Sequence, residues 1–165
     1  MSKPFFDVFP TLKVRKDLRD YFENTIVERL AANHERTRLK VCLYSEHLIH
    51  KNRVFRMQQE MEEQLFNGRK VKVYVEEHYK LSELYNPQRL MEEYHDSICC
   101  EISSFSHMMG AVFRESEINY RDDGSIDILM DDTCISRGLH ERLEEALNRI
   151  FRDRCGIPAL ITVTL

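Results

Sequence analysis

The sequence predicts an α+β protein built as two small modules. Each runs helix, strand, strand, helix, strand around a three-stranded sheet, and the second carries one extra helix in front. Three observations predict this. Apolar spacing switches repeatedly between two and three-to-four residues, the periods of strands and helices. Two stretches share an outline, a glycine followed by alternating apolar positions: GRKVKVYVEE at Gly68–Glu77 and GIPALITVTL at Gly156–Leu165. Their glycines lie 88 positions apart, and Met57, Met61 and Leu65 correspond to Leu143, Leu147 and Phe151 at a spacing of 86. The expected division is 1–80 and 81–165. Modules of this size bury little core alone, so docking between them is expected.

The elements follow in order. PFFDVFPTL (Pro4–Leu12) is aromatic and broken by proline, which excludes regular helix or central strand. Phe5, Phe6 and Phe9 read as an apolar arm that meets another protein surface. Val14, Leu18, Tyr21 and Phe22 share a helical stripe over about Val14–Glu23. A hairpin follows, with strands Ile26–Ala32 and Thr37–Tyr44 and a turn at Asn33–Arg36. In its second strand Leu39, Val41 and Leu43 face one way, and Arg38, Lys40 and Cys42 the other. A helix from about His50 to Phe66 carries Val54, Met57, Met61 and Leu65 on one face. Asn67-Gly68 ends it, a pair that tolerates positive φ. Val71, Val73 and Val75 then alternate with Lys70, Lys72 and Tyr74 in the third strand.

His78–Pro87 is the expected joint. Asn86 caps the next helix and Pro87 occupies its first turn. Leu90, Met91, Tyr94, Ile98 and Ile102 form its stripe, Ser103–Ser106 break it, and a shorter helix carries Met108, Met109, Val112 and Phe113. Asp123-Gly124 lies between the alternating runs Ile118–Arg121 and Ile126–Met130, a strong hairpin signal. Asp132 or Thr133 caps a long helix to about Asp153, with Leu139, Leu143, Ala146, Leu147 and Ile150 inward. Gly156 ends it, and Ala159, Ile161, Val163 and Leu165 alternate in the last strand. A chain that stops on an apolar strand needs that strand docked.

Composition narrows the function. The 165 residues carry a net charge of −4, so the whole chain has no nucleic-acid footprint. The halves differ: residues 1–80 hold 16 Lys+Arg against 12 Asp+Glu (+4), and residues 81–165 hold 8 against 16 (−8). No apolar run reaches a membrane span, and Met1 is not followed by a signal sequence, which predicts a soluble, cytoplasmic protein without a membrane partner. Five cysteines, Cys42, Cys99, Cys100, Cys134 and Cys155, form no C-x-x-C pair and read as reduced, mostly buried thiols.

No constellation reads as catalytic. Asp122-Asp123 lies in a tight turn and Asp131-Asp132 at a helix start, places where aspartate is favoured locally. His47 and His50 flank a helix start without an HExxH pattern or matching cysteine. Five glycines supply no phosphate-cradling loop. No metal or other cofactor is expected in this segment. The best chemical candidate is a basic strand face: Arg38, Lys40, Lys70 and Lys72 project opposite the valines, with Tyr44 and Tyr74 in the same register. If the two strands share a sheet, cations and aromatic plates could hold a single-stranded or primed nucleic acid.

The order of elements resembles a type II KH domain, although neither module has that family's Gly-x-x-Gly loop. PFFDVFPTLKV, LYNPQRLMEEYHDSI and RDRCGIPALITV together resemble the N-terminal region of PolC-type DNA polymerase III α subunits of low-GC Gram-positive bacteria, in the clostridial form. The resemblance spans nearly the whole chain. It implies a replicative polymerase whose OB-fold, PHP domain, inserted 3′–5′ exonuclease and polymerase core lie beyond Leu165, together with their catalytic carboxylates and divalent metals. Leu165 is then expected to be the edge of a longer chain. The resemblance further implies that the first module is similar to the polymerase-binding domain of the clamp-loader τ subunit and the second is KH-like. The expected role is non-catalytic tethering to replisome proteins, τ among them. The alternative is nucleic-acid binding by the basic face.

Overall fold

The computed structural model describes residues 2–165. The chain forms two compact α+β units, Met1–Lys80 and Leu81–Leu165.

The first unit holds a four-stranded sheet in the order β1-β2-β3-β4, one strand more than the sequence predicts. β2 (Ile26–Ala32) and β3 (Arg38–Ser45) form the antiparallel hairpin, and β4 (Lys72–Tyr79) joins β3 in parallel after the crossover helix α3 (Lys51–Gln64). The added strand, β1 (Lys3–Pro4), pairs with Ile26 and Val27 at the sheet edge. Proline is tolerated there because an edge strand does not need every N–H. The chain then makes one helical turn, α1 (Phe5–Val8). The expected free arm is therefore part of the fold. Phe5 is fully buried and Phe9 nearly so, and the Phe5 ring lies 5.3 Å from Phe22 and 5.1 Å from Phe9. Burying such rings stabilises the unit by roughly 2–3 kcal/mol each, which outweighs leaving them for a partner. Phe6 is half-buried beneath the Arg19 guanidinium, 4.0 Å from its ring centroid.

The short helix α2 (Lys16–Phe22) buries Leu18 and Phe22. Tyr21, placed on the inward stripe by spacing, is instead exposed, with the Arg53 guanidinium 4.1 Å from its ring. Val41, Leu43, Val73 and Val75 supply the inner sheet face, and Val54, Met57 and Met61 of α3 are buried with them. β4 runs past Val75 to Tyr79, so His78 and Tyr79 belong to the sheet rather than to a joint. His50 caps α3, its ring nitrogen accepting the Asn52 N–H.

The second unit repeats the core topology. β5 (Glu117–Tyr120) and β6 (Ile126–Leu129) are antiparallel, and β7 (Ile161–Thr164) joins β6 in parallel. Helix α4 (Pro87–Phe105) is capped by Asn86 and continues through Ser103 and Ser104 to a cap at Ser106. Ser104 Oγ donates back to the Glu101 carbonyl, which lets serine remain helical here. Helix α5 (His107–Glu115) begins at Ser106 and passes very close to α4. A Cβ on Gly110 would fall 2.9 Å from the Ser103 Cα, so only glycine permits this crossing. Helix α6 (Cys134–Arg149) is capped by Thr133 and ends in a π-helical turn, Ile150–Arg154.

Both units close the outer edge of the last strand in the same way. In the first, Gln58 and Glu62 of α3 accept the Val75 and Val73 amides, both at 2.9 Å. In the second, Glu144 and Asn148 of α6 accept the Val163 and Ile161 amides at 2.9 and 3.2 Å, and Asn148 also donates to the Ile161 carbonyl. Each pair is spaced i, i+4, which places both side chains on one helix face. The spacings of 86 on the helix and 88 on the strand are those seen in the apolar pattern.

Candidate functional site

The outer face of the first sheet carries the predicted basic residues. β3 and β4 pair in register, with Arg38 opposite Lys72, Lys40 opposite Tyr74, Cys42 opposite Glu76 and Tyr44 opposite His78. Period-two alternation sends these residues away from the valines and α3. Arg38, Lys40, Lys72 and Tyr74 are exposed, Tyr74 by 46%, whereas Tyr44 is half-buried. Lys70 lies outside β4, in the exposed connection after α3, and does not join the face.

Two residues on this face escape the sequence reading. Arg29 pairs with Cys42 only because a β-bulge lies between Val27 and Arg29 and shifts the register; simple alternation would turn Arg29 inward with Val27. Glu76 falls in the stretch of β4 beyond Val75, where the alternation of valines no longer signals a strand.

Glu76 organises the electrostatics. Its carboxylate pairs with Lys40 at 2.9 Å and lies 4.0 Å from His78, and the Cys42 thiol donates to it at 3.2 Å. The Lys40 hydrogen bond holds the Glu76 carboxyl below its ordinary value against the opposing effect of burial. Burial pushes the Cys42 thiol up, and the Glu76 carboxylate adds to the shift. Cys42 is buried and disfavoured as a thiolate nucleophile. Lys72 reaches Glu62 of α3 at 3.6 Å. Two carboxylates, Glu76 on the face and Glu62 from α3, therefore offset part of a face that bears Arg29, Arg38, Lys40, Lys72 and His78. Such a surface can hold anions and stack planar groups on Tyr74; it presents no activated nucleophile.

The other polar groups serve local structure. Asp123 accepts the Ser125 N–H and hydroxyl in the β5–β6 turn, and Asp132 forms a two-pronged pair with Arg137 at the start of α6. Those bonds hold both carboxyls below their ordinary values. Among the described residues no three His, Cys, Asp or Glu side chains are grouped to hold a metal ion. No helix among them is long and apolar enough to cross a membrane.

The comparison with known families falls on this unit. Residues 4–75 match the family model described as DNA polymerase III polC-type N-terminus I. No curated protein matches the chain. The match runs from the buried aromatic turn through the hairpin and α3 to the middle of β4. The first unit is thus similar, over most of its length, to the region that this PolC-type N-terminal family model describes.

Proposed function

We propose that this chain is a non-catalytic interaction region of a PolC-type replicative polymerase, tethering the enzyme to other replisome proteins. The observation that carries the reading is the family match over residues 4–75, which makes the first unit similar to the N-terminal region of PolC-type DNA polymerase III. Polymerase and exonuclease chemistry, with their divalent metals, belong in this reading to other domains of the parent. Because Phe5 and Phe9 are core residues, the surface offered to a partner is the outer sheet face and its ends. The second unit is read as type II KH-like from its helix, hairpin, helix and parallel strand, although the Gly-x-x-Gly grip is missing. The clamp-loader τ subunit is the first partner to test. Pull-down of τ by the 165-residue chain is expected, and it should survive moderate salt. Failure to retain τ or any other replisome protein would remove the tethering role.

A second reading is favoured by one feature. Arg38, Lys40, Lys72 and Tyr74 sit next to one another in register on an exposed face, as a single-strand-binding surface requires. Under this reading the chain shifts single-stranded DNA or primed template, and the affinity falls with salt at a slope of about 0.7 per phosphate contacted. Lys40→Glu with Lys72→Glu abolishes that binding while a protein partner is retained.

A further inference from the structure

Beside the sheet face, at the end of the first unit where β3 and β4 begin, lies a cavity of about 350 Å³. Leu39, Leu65, Phe66 and Val71 form its half-buried apolar wall, and Arg36, Arg38 and Arg69 its exposed rim. Two left-handed corners hold it open: Arg36 (φ 58°) in the hairpin turn, and Asn67-Gly68 (φ 49° and 82°) after α3. No carboxylate lines it, and none of the three guanidinium groups is ion-paired among the described residues. The carbonyl end of α3 makes this a favourable place for cations, yet the rim keeps its donors unused.

We propose that this cavity binds an acidic segment of a partner protein, with one large apolar side chain in the hole and flanking carboxylates on the arginines. This rests on the reading that the first unit meets protein. The volume suits one or two side chains, at the small end of ligand pockets. Guanidinium forks match carboxylates two-pronged. A nucleic-acid strand fits less well: the exposed plate Tyr74 is on the sheet face outside the cavity, and an apolar hole gives phosphates nothing. Desolvating an aliphatic or aromatic side chain there is rewarded.

The test uses the full 165-residue chain and a fluorescein-labelled octapeptide with Leu-Phe at its centre and three acidic residues on each side. Anisotropy should show saturable binding. Arg36→Gln with Arg69→Gln should weaken it about tenfold or more, and Ala32→Trp, which fills the cavity from an exposed wall position, should block it. A peptide with Ser-Ser in place of Leu-Phe should bind at least tenfold more weakly. Absence of binding with the chain folded by NMR overturns the proposal. So does binding that ignores both Leu-Phe and Ala32→Trp, which would be unspecific charge attraction. Tighter binding of oligo-dT, lost in the arginine variant, would make the site a phosphate reader and equally overturn it. Retention of τ by the chain while the octapeptide fails sinks the cavity proposal alone; loss of every protein partner sinks the tethering reading beneath it.

Discussion

Lys51 opens α3 and Glu77 lies on β4, and both are almost fully buried, with Nζ and Oε1 2.8 Å apart. The second Glu77 oxygen has no hydrogen-bond partner among the described residues. A buried carboxylate tolerates this only while its cation is present. Lys51→Met should therefore destabilise the first unit by about 3–5 kcal/mol, and Lys51→Met with Glu77→Leu should recover most of the loss. Urea unfolding of the two variants checks this; equal midpoints would show that the pair contributes no coupling. Neither partner stands out in the sequence, because Lys51 looks like an ordinary helix-start lysine and Glu77 like the end of a strand. Burial of an ion pair depends on tertiary packing that alternation does not encode. Arg29 and Glu76 on the outer face were illegible for related reasons: a bulge in one strand and a longer run in the other.

His95 on α4 gives a pH dependence at the same scale. It is half-buried, its ring 4.9 Å from the Phe113 ring, and burial, assisted by Arg114 and opposed by Asp96, lowers its pKa below the ordinary value. The folded state thus prefers the neutral imidazole, while the unfolded chain takes up a proton near pH ~6.5. Stability of the second unit should fall as the pH drops from about 6.5 towards the depressed folded value, because the unfolded state binds more protons in that window. Thermal melts across this range should show a shallower decline for His95→Gln. An unchanged slope would assign the effect to other groups.

At the scale of elements, most of the helices and strands were legible because each pairs a period with a punctuating residue. Asn86-Pro87 and Asp123-Gly124 mark a helix start and a hairpin turn, and the structure uses both so, whereas α3 ends at Gln64, two residues before the expected Phe66, and Asn67-Gly68 forms the left-handed turn that follows. What escaped were elements held by partners distant in sequence. β1 exists only because β2 offers an open edge. The edge closures by α3 and α6 belong here as well. Asn148 exchanges two hydrogen bonds with Ile161, whereas Gln58 makes one to Val75. Asn148→Ala should cost about 1–3 kcal/mol and Gln58→Ala about 1 kcal/mol. Chemical denaturation at constant m reads both; values equal to the parent chain would mean that water replaces the side chains at no cost.

Across the whole molecule, two units share one β-β-α-β order but present different surfaces. The first gathers cations on its outer face. The corresponding positions of the second carry Glu117, Asn119, Asp127, Leu129, Thr162 and Thr164. The charge asymmetry in the sequence announced this contrast, and the matching apolar spacings announced the repeated order. The Arg-rimmed cavity was not announced, since its lining comes from the ends of β2 and β3, the turn between them and the connection after α3, four places that no single periodic pattern joins.

The paired edge closures also carry a lesson about length. From acceptor to strand amide the chain runs 11 residues between Glu62 and Val73, but 13 between Asn148 and Ile161. The additional pair is accommodated around the widened turn of Ile150–Arg154, and the strand still docks in the same alignment. The connection is a spacer rather than a ruler. Two residues inserted after Gly68 should accordingly leave β4 seated, with unchanged amide-exchange protection at Val73 and Val75; loss of that protection would show that loop length sets the alignment.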